Sequence, residues 1–401
     1  MRNLDGNQAS IRDAIDGGLL AGAVTLVWRS GEIVQVNALG HRDVDAGLPM
    51  QRDTLFRIAS MTKPVTIAAA MSLVEEGRLA LRDPVARWLP ELADMRVLLD
   101  PLGPLDRSEP ARRSITVDDL MTHRSGLAYV FSAAGPLRAA YARLSTHQDQ
   151  DRWLAELAAL PLVHQPGDRL TYSHATDVLG IVLARIEQKP LGDVLADRVL
   201  NPLGMTDTGY SVGRAGRARA ATMYQLDRDN ALRHDVMGPA PIVPPVFCRG
   251  GTDLWSTADD YLTFARMLLG GGSVDGVRVL SEESVRLMRT DRLTDEQKRY
   301  PFLGSPFWVG RGFGLNLSVV TDPAKARQLF GPGGAGTFGW PGAYGTWWQA
   351  DPSNDLILLY LIQNHPDTTV DAATIAGNTS RATLKSAQPR FVHRTYRALG
   401  L

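Results

Sequence analysis

A serine and a lysine three residues apart are the pair whose types and spacing could support covalent catalysis. Ser60 and Lys63 stand at the start of an apolar segment, and residues three apart share one face of a helix, so the amine can reach the hydroxyl. A serine hydroxyl attacks carbonyls poorly unless a neighbouring base takes its proton. A lysine amine can do so once burial has removed its charge, whereas an arginine cannot. The pair predicts a nucleophile and its proton acceptor; the competing interpretation is a surface lysine near a helix start.

A second group lies at residues 166–174, where a turn presents Tyr172 ahead of an apolar stretch that predicts a helix over residues 178–186. A phenol held near an ammonium can give up its proton more easily and can then take or return the proton of the nucleophile. Tyr172 is therefore the predicted partner base. The alternative is a packed surface tyrosine.

A third group is the glycine-rich, aromatic run at residues 336–345. Acyl transfer needs backbone N–H donors aimed at a developing oxyanion, and small residues let a substrate carbonyl approach such a backbone closely. We predict that the N–H groups of Ser60 and Ala343 form this oxyanion hole. An aromatic β-hairpin without a ligand is the alternative.

The elements around these groups predict an α+β fold, because strand patterns occupy both ends of the chain and helical patterns the middle. The sheet is thus built from distant segments, with a mainly helical insertion. We predict a sheet subdomain of residues 1–85 and 291–401, a helical subdomain of residues 86–290, and a catalytic cleft between them. The predicted elements are an antiparallel hairpin of residues 21–28 and 32–39, a helix at 61–76, mainly helical structure over 83–290, strands at 308–320, 337–349 and 356–363, and a closing helix near 372–387.

Composition excludes several classes of function. The 401 residues include 43 basic and 43 acidic side chains, so no net charge favours nucleic acid or anionic lipid. The single cysteine, Cys248, excludes an internal disulfide, and the eight histidines show no metal-ligand spacing. No apolar leader or membrane span is seen. We expect a cytoplasmic protein without metal or cofactor; the oligomeric state is not predicted.

Five blocks, the first of which contains Ser60 and Lys63, together with the other two groups resemble the serine β-lactamase and penicillin-binding-protein superfamily. The resemblance covers nearly the whole chain and is greatest to the class C β-lactamase-like carboxylesterases called family VIII esterases. It implies a β-lactamase/transpeptidase-like fold, an antiparallel sheet flanked by helices. The blocks are FRIASMTK at residues 56–63, ITVDDLMTHRSGL at 115–127, NPLGM at 201–205, GGTDLWSTADD at 250–260 and MLLGGG at 267–272.

Two departures from the β-lactamase pattern bear on the substrate. His174 stands where class C β-lactamases carry an asparagine that binds the acylamido group. Trp340, Pro341 and Gly342 replace the Lys-Thr-Gly whose ammonium and hydroxyl meet the carboxylate of the antibiotic. An uncharged indole cannot supply that ion pair. The family's esterases also show a tryptophan there, which favours neutral esters.

The resemblance implies a serine carboxylesterase that hydrolyses neutral, short-chain esters through an acyl-enzyme on Ser60, with a small-molecule ester as its partner. Lys63 and Tyr172 would move the proton, and the substrate-binding candidates are Trp340, Gly342, Tyr344, Tyr129 and His174. For the aromatic candidates ordinary packing is the alternative, and His174 could equally be satisfied by a backbone neighbour. The alternative functions are a β-lactamase, a D-amino-acid peptidase or amidase, an acyltransferase using the same intermediate, and a sensor that is acylated without turnover.

Residues 209–213 match the Gly-x-Ser-x-Gly nucleophile motif of α/β-hydrolases and offer Ser211 as a competing nucleophile. That motif works only in a sharp turn between a strand and a helix. The flanking residues predict neither element, so we expect Ser211 to lie in a surface loop.

Overall fold

The computed structural model describes residues 4–234, 237–365 and 378–401, and its centre is an eight-stranded antiparallel sheet. The strand order is β12-β13-β14-β15-β16-β1-β2-β3, so the two ends of the chain meet in the middle of the sheet. The strands are β1 Gly22–Arg29, β2 Glu32–Asp43, β3 Leu48–Pro49, β4 Phe56–Arg57, β5 Arg96–Leu98, β6 Ser108–Pro110, β7 Tyr224–Leu226, β8 Leu232–His234, β9 Trp255–Ser256, β10 Ser273–Val274, β11 Val277–Arg278, β12 Arg311–Phe313, β13 Ser318–Val320, β14 Phe338–Gly339, β15 Trp347–Asp351 and β16 Leu356–Leu361.

Helices cover both faces of this sheet, and most of them lie in the chain between its two halves. This arrangement confirms the predicted α+β class; the boundaries of the two subdomains remain a proposal. The helices are α1 Ala9–Asp16, α2 Thr62–Glu75, α3 Val117–Met121, α4 Gly135–Tyr141, α5 Gln150–Ala158, α6 Ala175–Glu187, α7 Leu191–Leu195, α8 Gly213–Gly216, α9 Ala258–Leu269, α10 Glu282–Met288, α11 Pro323–Phe330 and α12 Thr379–Leu399.

Strand β16 shows why the sheet needs cover on both faces. All six of its residues are buried, and successive side chains point to opposite faces. Ile357, Leu359 and Leu361 belong to the large core shared with the central helices, whereas the alternate residues pack in a second core with α1 and α12. A continuous apolar strand of this kind is stable only between two layers.

Three contacts fix the start of α2, where Ser60 lies. Strand β4 pairs with β9, and the Ile58 N–H donates to the Leu254 carbonyl at 2.9 Å. The Tyr261 hydroxyl donates to the Met61 carbonyl at 2.9 Å. Between these anchors Ala59 adopts the left-handed region at φ 45°, which is strained for an alanine. The chain is therefore turned sharply immediately before the serine.

Several elements differ from the sequence expectations. Residues 308–320 form two short strands, β12 and β13, rather than one, with a turn around Asn316 at φ 55°. Residues 337–349 likewise split into β14 and the start of β15, because Pro341 has no N–H for a ladder and the Gly342 N–H donates locally to Thr346. Helix α2 is buried on nearly all sides rather than along one stripe. The closing helix begins at Thr379, and residues 372–377 of the prediction lie outside the described residues.

Within the ranges described, no helix combines the length and apolarity needed to cross a bilayer.

Two buried histidines are held in their neutral forms by polar neighbours. His123, at φ 54°, places Nε2 2.7 Å from Asn316 Oδ1, and burial together with the charge of Lys63 lowers the pKa of His123 to about 3. His164 places Nε2 3.0 Å from Thr171 Oγ1, and burial lowers the pKa of His164 to about 4.

We predict that the stability falls on mild acidification because of these two histidines. In the unfolded chain each histidine regains a pKa of about 6.5 and, below that pH, binds a proton that the native state excludes. The free energy of unfolding is therefore highest above about pH 6.5 and falls as the pH drops below it. Urea unfolding should show a loss of about 2 to 3 kcal/mol per pH unit between pH 6 and 5. His164→Gln should about halve this slope. An unfolding free energy that does not change between pH 7 and 5 would contradict the prediction.

Candidate active site

The Ser60 hydroxyl lies next to the amine of Lys63, with Oγ and Nζ 3.1 Å apart. Ser60 lies in the 3-10 turn Ala59–Met61 that leads into α2, and Lys63 lies in the first turn of α2, so the predicted helical spacing accounts for the contact. Ser60 is partly exposed, whereas only 1% of Lys63 is accessible. An accessible hydroxyl thus has a buried amine behind it.

Lys63 has two further oxygen partners, and neither of them is a carboxylate. Its nitrogen lies 2.7 Å from the Gly251 carbonyl oxygen and 3.2 Å from the Tyr129 hydroxyl. These contacts fill the positions around the nitrogen and aim it at Ser60. Only glycine fits at position 251 this close to the lysine, because a Cβ there would lie 3.2 Å from Lys63 Nζ and 2.8 Å from Asp177 Oδ1.

A buried carboxylate lies beneath this lysine and is connected to it through a peptide group. Asp177, fully buried in the first turn of α6, accepts the Gly251 N–H at 2.8 Å and lies 2.7 Å from His174 Nδ1. Burial alone raises the pKa of Asp177, but the His174 hydrogen bond and the charges of His174, Arg249 and Lys63 outweigh burial and lower it below its usual value. The negative charge therefore remains and orients the Gly251 dipole toward Lys63.

The ring of Tyr172 faces the same lysine from the other side. Its centroid is 4.8 Å from Lys63 Nζ, while the hydroxyl accepts a hydrogen bond from Trp340 Nε1 at 3.0 Å. The structure thus brings together Ser60, Lys63 and Tyr172, as the sequence predicted. The indole donor on the phenol was not anticipated.

The loop after β14 places the glycine-rich run of residues 336–345 next to Ser60. The Gly342 N–H donates to the Thr346 carbonyl at 2.7 Å, and the Thr346 hydroxyl donates to the Ile58 carbonyl at 3.3 Å, two residues before Ser60. A Cβ on Gly342 would meet Ile58 O at 2.4 Å. Glycine is therefore required there, and Ala343 follows on the wall of the same cavity as Ser60.

A cavity of about 570 Å³ opens above Ser60, and its walls are mainly aromatic and aliphatic. All the predicted substrate-binding residues lie on it. Among the described residues the only lysine or arginine on its wall is Arg249, which forms two hydrogen bonds with Asp253 at 2.7 and 2.6 Å. The lining includes Tyr129, Val130, Phe131, Tyr141, Leu144, Tyr172, His174, Phe302, Leu303, Trp340, Pro341, Gly342, Ala343 and Tyr344.

Two other sites were considered from the sequence: Ser211 as a competing nucleophile, and a metal site. Ser211 is not on the wall of this cavity and precedes the four-residue helix α8, while Gly209 before it makes only an isolated bridge to Trp255. No group of three or more His, Cys, Asp or Glu side chains in the described ranges could hold a metal ion.

Sequence reasoning missed Asp177, Gly251 and the contact between Tyr129 and Lys63. Asp177 follows His174 by three residues at a helix start, a spacing that permits a side-chain contact. That spacing was the available signal. No sequence rule could bring Gly251 to Lys63, because the two are 188 residues apart.

Comparison with known proteins identifies the family. The Beta-lactamase family model matches residues 8–379. The chain belongs to the Beta-lactamase family. The predicted resemblance to β-lactamase-like serine hydrolases is thus confirmed.

Relatives of this Beta-lactamase family member include proteins named as esterases. Protein Rv1367c of Mycobacterium tuberculosis is 70% identical over 400 residues, covering 100% of both chains. Esterase EstB of Burkholderia gladioli is 34% identical over 365 residues, covering 85% of this chain and 86% of its own. The solved structure of EstCE1, described as a hydrolase with promiscuous acyltransferase activity, superposes with a TM-score of 0.78 at 27% identity, covering 98% of both chains.

The Trp340 donor can be tested without choosing a substrate. Trp340→Phe removes the N–H that the Tyr172 oxygen accepts but keeps an aromatic ring, so labelling of Ser60 by a fluorophosphonate probe should slow about tenfold. Trp308→Phe is the matched control, since Trp308 belongs to the same aromatic cluster but donates to the Tyr300 carbonyl. Equal labelling rates for the two variants would show that ring packing, and not the donor, is what matters.

Proposed function

We propose that this Beta-lactamase family member is a serine carboxylesterase that hydrolyses neutral, short-chain esters through an acyl-enzyme on Ser60. The observation that carries the proposal is the 3.1 Å contact between Ser60 Oγ and Lys63 Nζ at the floor of a largely apolar cavity. Nucleophile, proton acceptor and substrate space are thereby in one place.

The proposed reaction begins when Lys63 and Tyr172 take the proton of Ser60. The serine oxygen attacks the ester carbonyl, and the N–H groups of Ser60 and Ala343 hold the oxyanion. The alcohol leaves with the proton, and an acyl-serine remains. A water molecule activated through the same lysine and tyrosine then releases the acid and restores the serine.

The charge distribution supports neutral substrates. The Arg249 guanidinium is paired with Asp253, and Trp340 supplies a neutral indole where the β-lactamase pattern has a lysine. A β-lactam carboxylate entering this cavity would lose hydration without gaining an unpaired cation. The same reasoning disfavours the terminal carboxylate of a D-amino-acid peptide. Short esters carry no such charge.

The relatives agree with this chemistry and indicate a second activity. EstB is named an esterase, and EstCE1 is described as a hydrolase that also transfers acyl groups. In the proposed reaction an alcohol or amine acceptor would replace water at the acyl-serine. Transfer therefore uses the same residues and differs only in the second substrate.

Substitution of the two candidate serines tests the nucleophile. Ser60→Ala should reduce turnover of p-nitrophenyl butyrate by at least about 10³-fold, because covalent catalysis is lost. Ser211→Ala is the matched control and should retain wild-type rates. A chromogenic cephalosporin should be turned over far more slowly than the ester. Loss of activity only in Ser211→Ala would disprove the assignment, and a single stoichiometric burst would indicate a sensor.

The two phenols near Lys63 have different proposed roles. Burial, with the charge of Asp177 and the neighbouring Tyr172, raises the pKa of Tyr129 well above its usual value. Tyr129 therefore keeps its proton and serves as a neutral partner that orients Lys63. Tyr172 carries an indole donor on its oxygen, which favours a partly negative phenol during proton transfer.

Paired Tyr→Phe variants separate these roles. Tyr172→Phe should lower kcat for the ester by about 10² to 10⁴-fold, the usual contribution of a general base, with little change in KM. Tyr129→Phe should lower kcat by about tenfold or less, since only one orienting hydrogen bond is lost. The reverse order would assign the base to Tyr129.

A further inference from the structure

A second cavity, of about 330 Å³, lies between strands β13 to β15 and helices α11 and α12. Pro341 lines both this cavity and the one above Ser60. The wall contains no aspartate or glutamate among the described residues, but it does contain two arginines. The aromatic and aliphatic side chains of the wall include Phe307, Leu329, Phe330, Trp347 and Pro389.

Arg311 is the cation at the centre of this wall, and its charge has no acidic partner in the described ranges. Its guanidinium carbon is 3.9 Å from the centre of the Phe330 ring and 5.3 Å from that of Phe307. Aromatic rings cover the faces of a guanidinium, whereas its N–H groups point outward in its plane. Arg311 Nε is buried and has no hydrogen-bond partner in the part of the chain described. Burial lowers the pKa of Arg311 to about 10, so it remains charged at neutral pH.

A second orphaned donor lies on the same wall. Thr337 is 4% exposed, and its hydroxyl has no partner among the described residues. An unpaired buried polar group is unfavourable, and an unpaired buried charge is more so. Arg327 adds a second guanidinium to the wall, and Ser318 and His393 add further polar groups. The cavity thus combines two cations and two unpaired donors with no carboxylate among the described residues.

We propose that this second cavity binds a small organic carboxylate. Its oxygens would accept hydrogen bonds from the Arg311 guanidinium, whose planar fork matches a carboxylate, and from the Thr337 hydroxyl. Its apolar part would contact Phe307, Leu329, Phe330, Trp347 and Pro389. These apolar walls select an organic acid over inorganic phosphate. The site is separate from Ser60, so the proposal stands independently of the ester reaction.

The chain offers a matched control in Arg289. Its guanidinium carbon lies 5.0 Å from the centre of the Phe338 ring, and burial lowers the pKa of Arg289 as well. Arg289 also has no acidic partner in the described ranges, but it does not line the cavity. Any general effect of removing a buried arginine should therefore appear in both variants, whereas loss of a ligand contact should appear only at Arg311.

Calorimetric titration of the full chain with benzoate, benzamide and inorganic phosphate tests the proposal. Benzoate should bind saturably and benzamide, its uncharged analogue, at least about tenfold more weakly, because the ionic hydrogen bonds are lost. Arg311→Met should weaken benzoate binding about tenfold or more, Thr337→Val by several fold, and Arg289→Met should leave it unchanged.

Four results would overturn the proposal: no saturable benzoate binding, equal binding of benzamide, tighter binding of phosphate, or full benzoate affinity in Arg311→Met. The last would place the benzoate elsewhere, including the cavity above Ser60. Should Arg311→Met fail to fold, Arg311→Lys keeps the charge without the planar fork and should show affinity below wild type. Unchanged affinity in both Arg311→Lys and Thr337→Val would equally exclude the site.

Discussion

The position of the Lys63 nitrogen is the constraint on which the rest of the site depends. A buried amine needs oxygen partners, and it finds them on three separate segments: the first turn of its own helix, the loop at Gly251 and the tyrosine at 129. None of these partners is a carboxylate. The charge that stabilises the group, that of Asp177, acts through the Gly251 peptide and does not pair directly with the amine. Within the described residues the amine therefore makes no direct ion pair, which suits the proton exchange with Ser60 that we propose.

The sheet and the inserted helices together provide this arrangement. Strands from the two ends of the chain meet at the pairing of β1 with β16, and the segment carrying Trp340 to Ala343 returns along the same sheet. Helix α2 supplies Lys63, and the loops between the inserted helices supply Tyr129 and Tyr172. Trp340 joins the two parts directly, because it lies in the aromatic cluster with Tyr172 and donates to its hydroxyl. This one hydrogen bond both links the two parts of the fold and contacts the phenol of the candidate site.

The fold class and the contact between Ser60 and Lys63 could be predicted from the sequence, because both follow from short-range patterns. The spacing of Ser60 and Lys63 is set by one helical turn, and the hairpin of β1 and β2 follows from β-rich runs with a glycine turn. The prediction failed where distant segments decide. The strand expected over residues 308–320 divides at Asn316, whose amide bonds to His123 and Met121 far away in the chain. Nor could any local pattern reveal that Asp177 reaches Lys63 through Gly251.

The left-handed Ala59 has a consequence for how this chain can change. An alanine in that conformation costs about 1 to 2 kcal/mol, and a glycine would relieve it. Yet a glycine at position 59 would also make the backbone before Ser60 more flexible, and that backbone sets the position of the Ser60 oxygen. At this one residue, a change that stabilises the fold would also loosen the Ser60 oxygen, the atom that we propose attacks the ester.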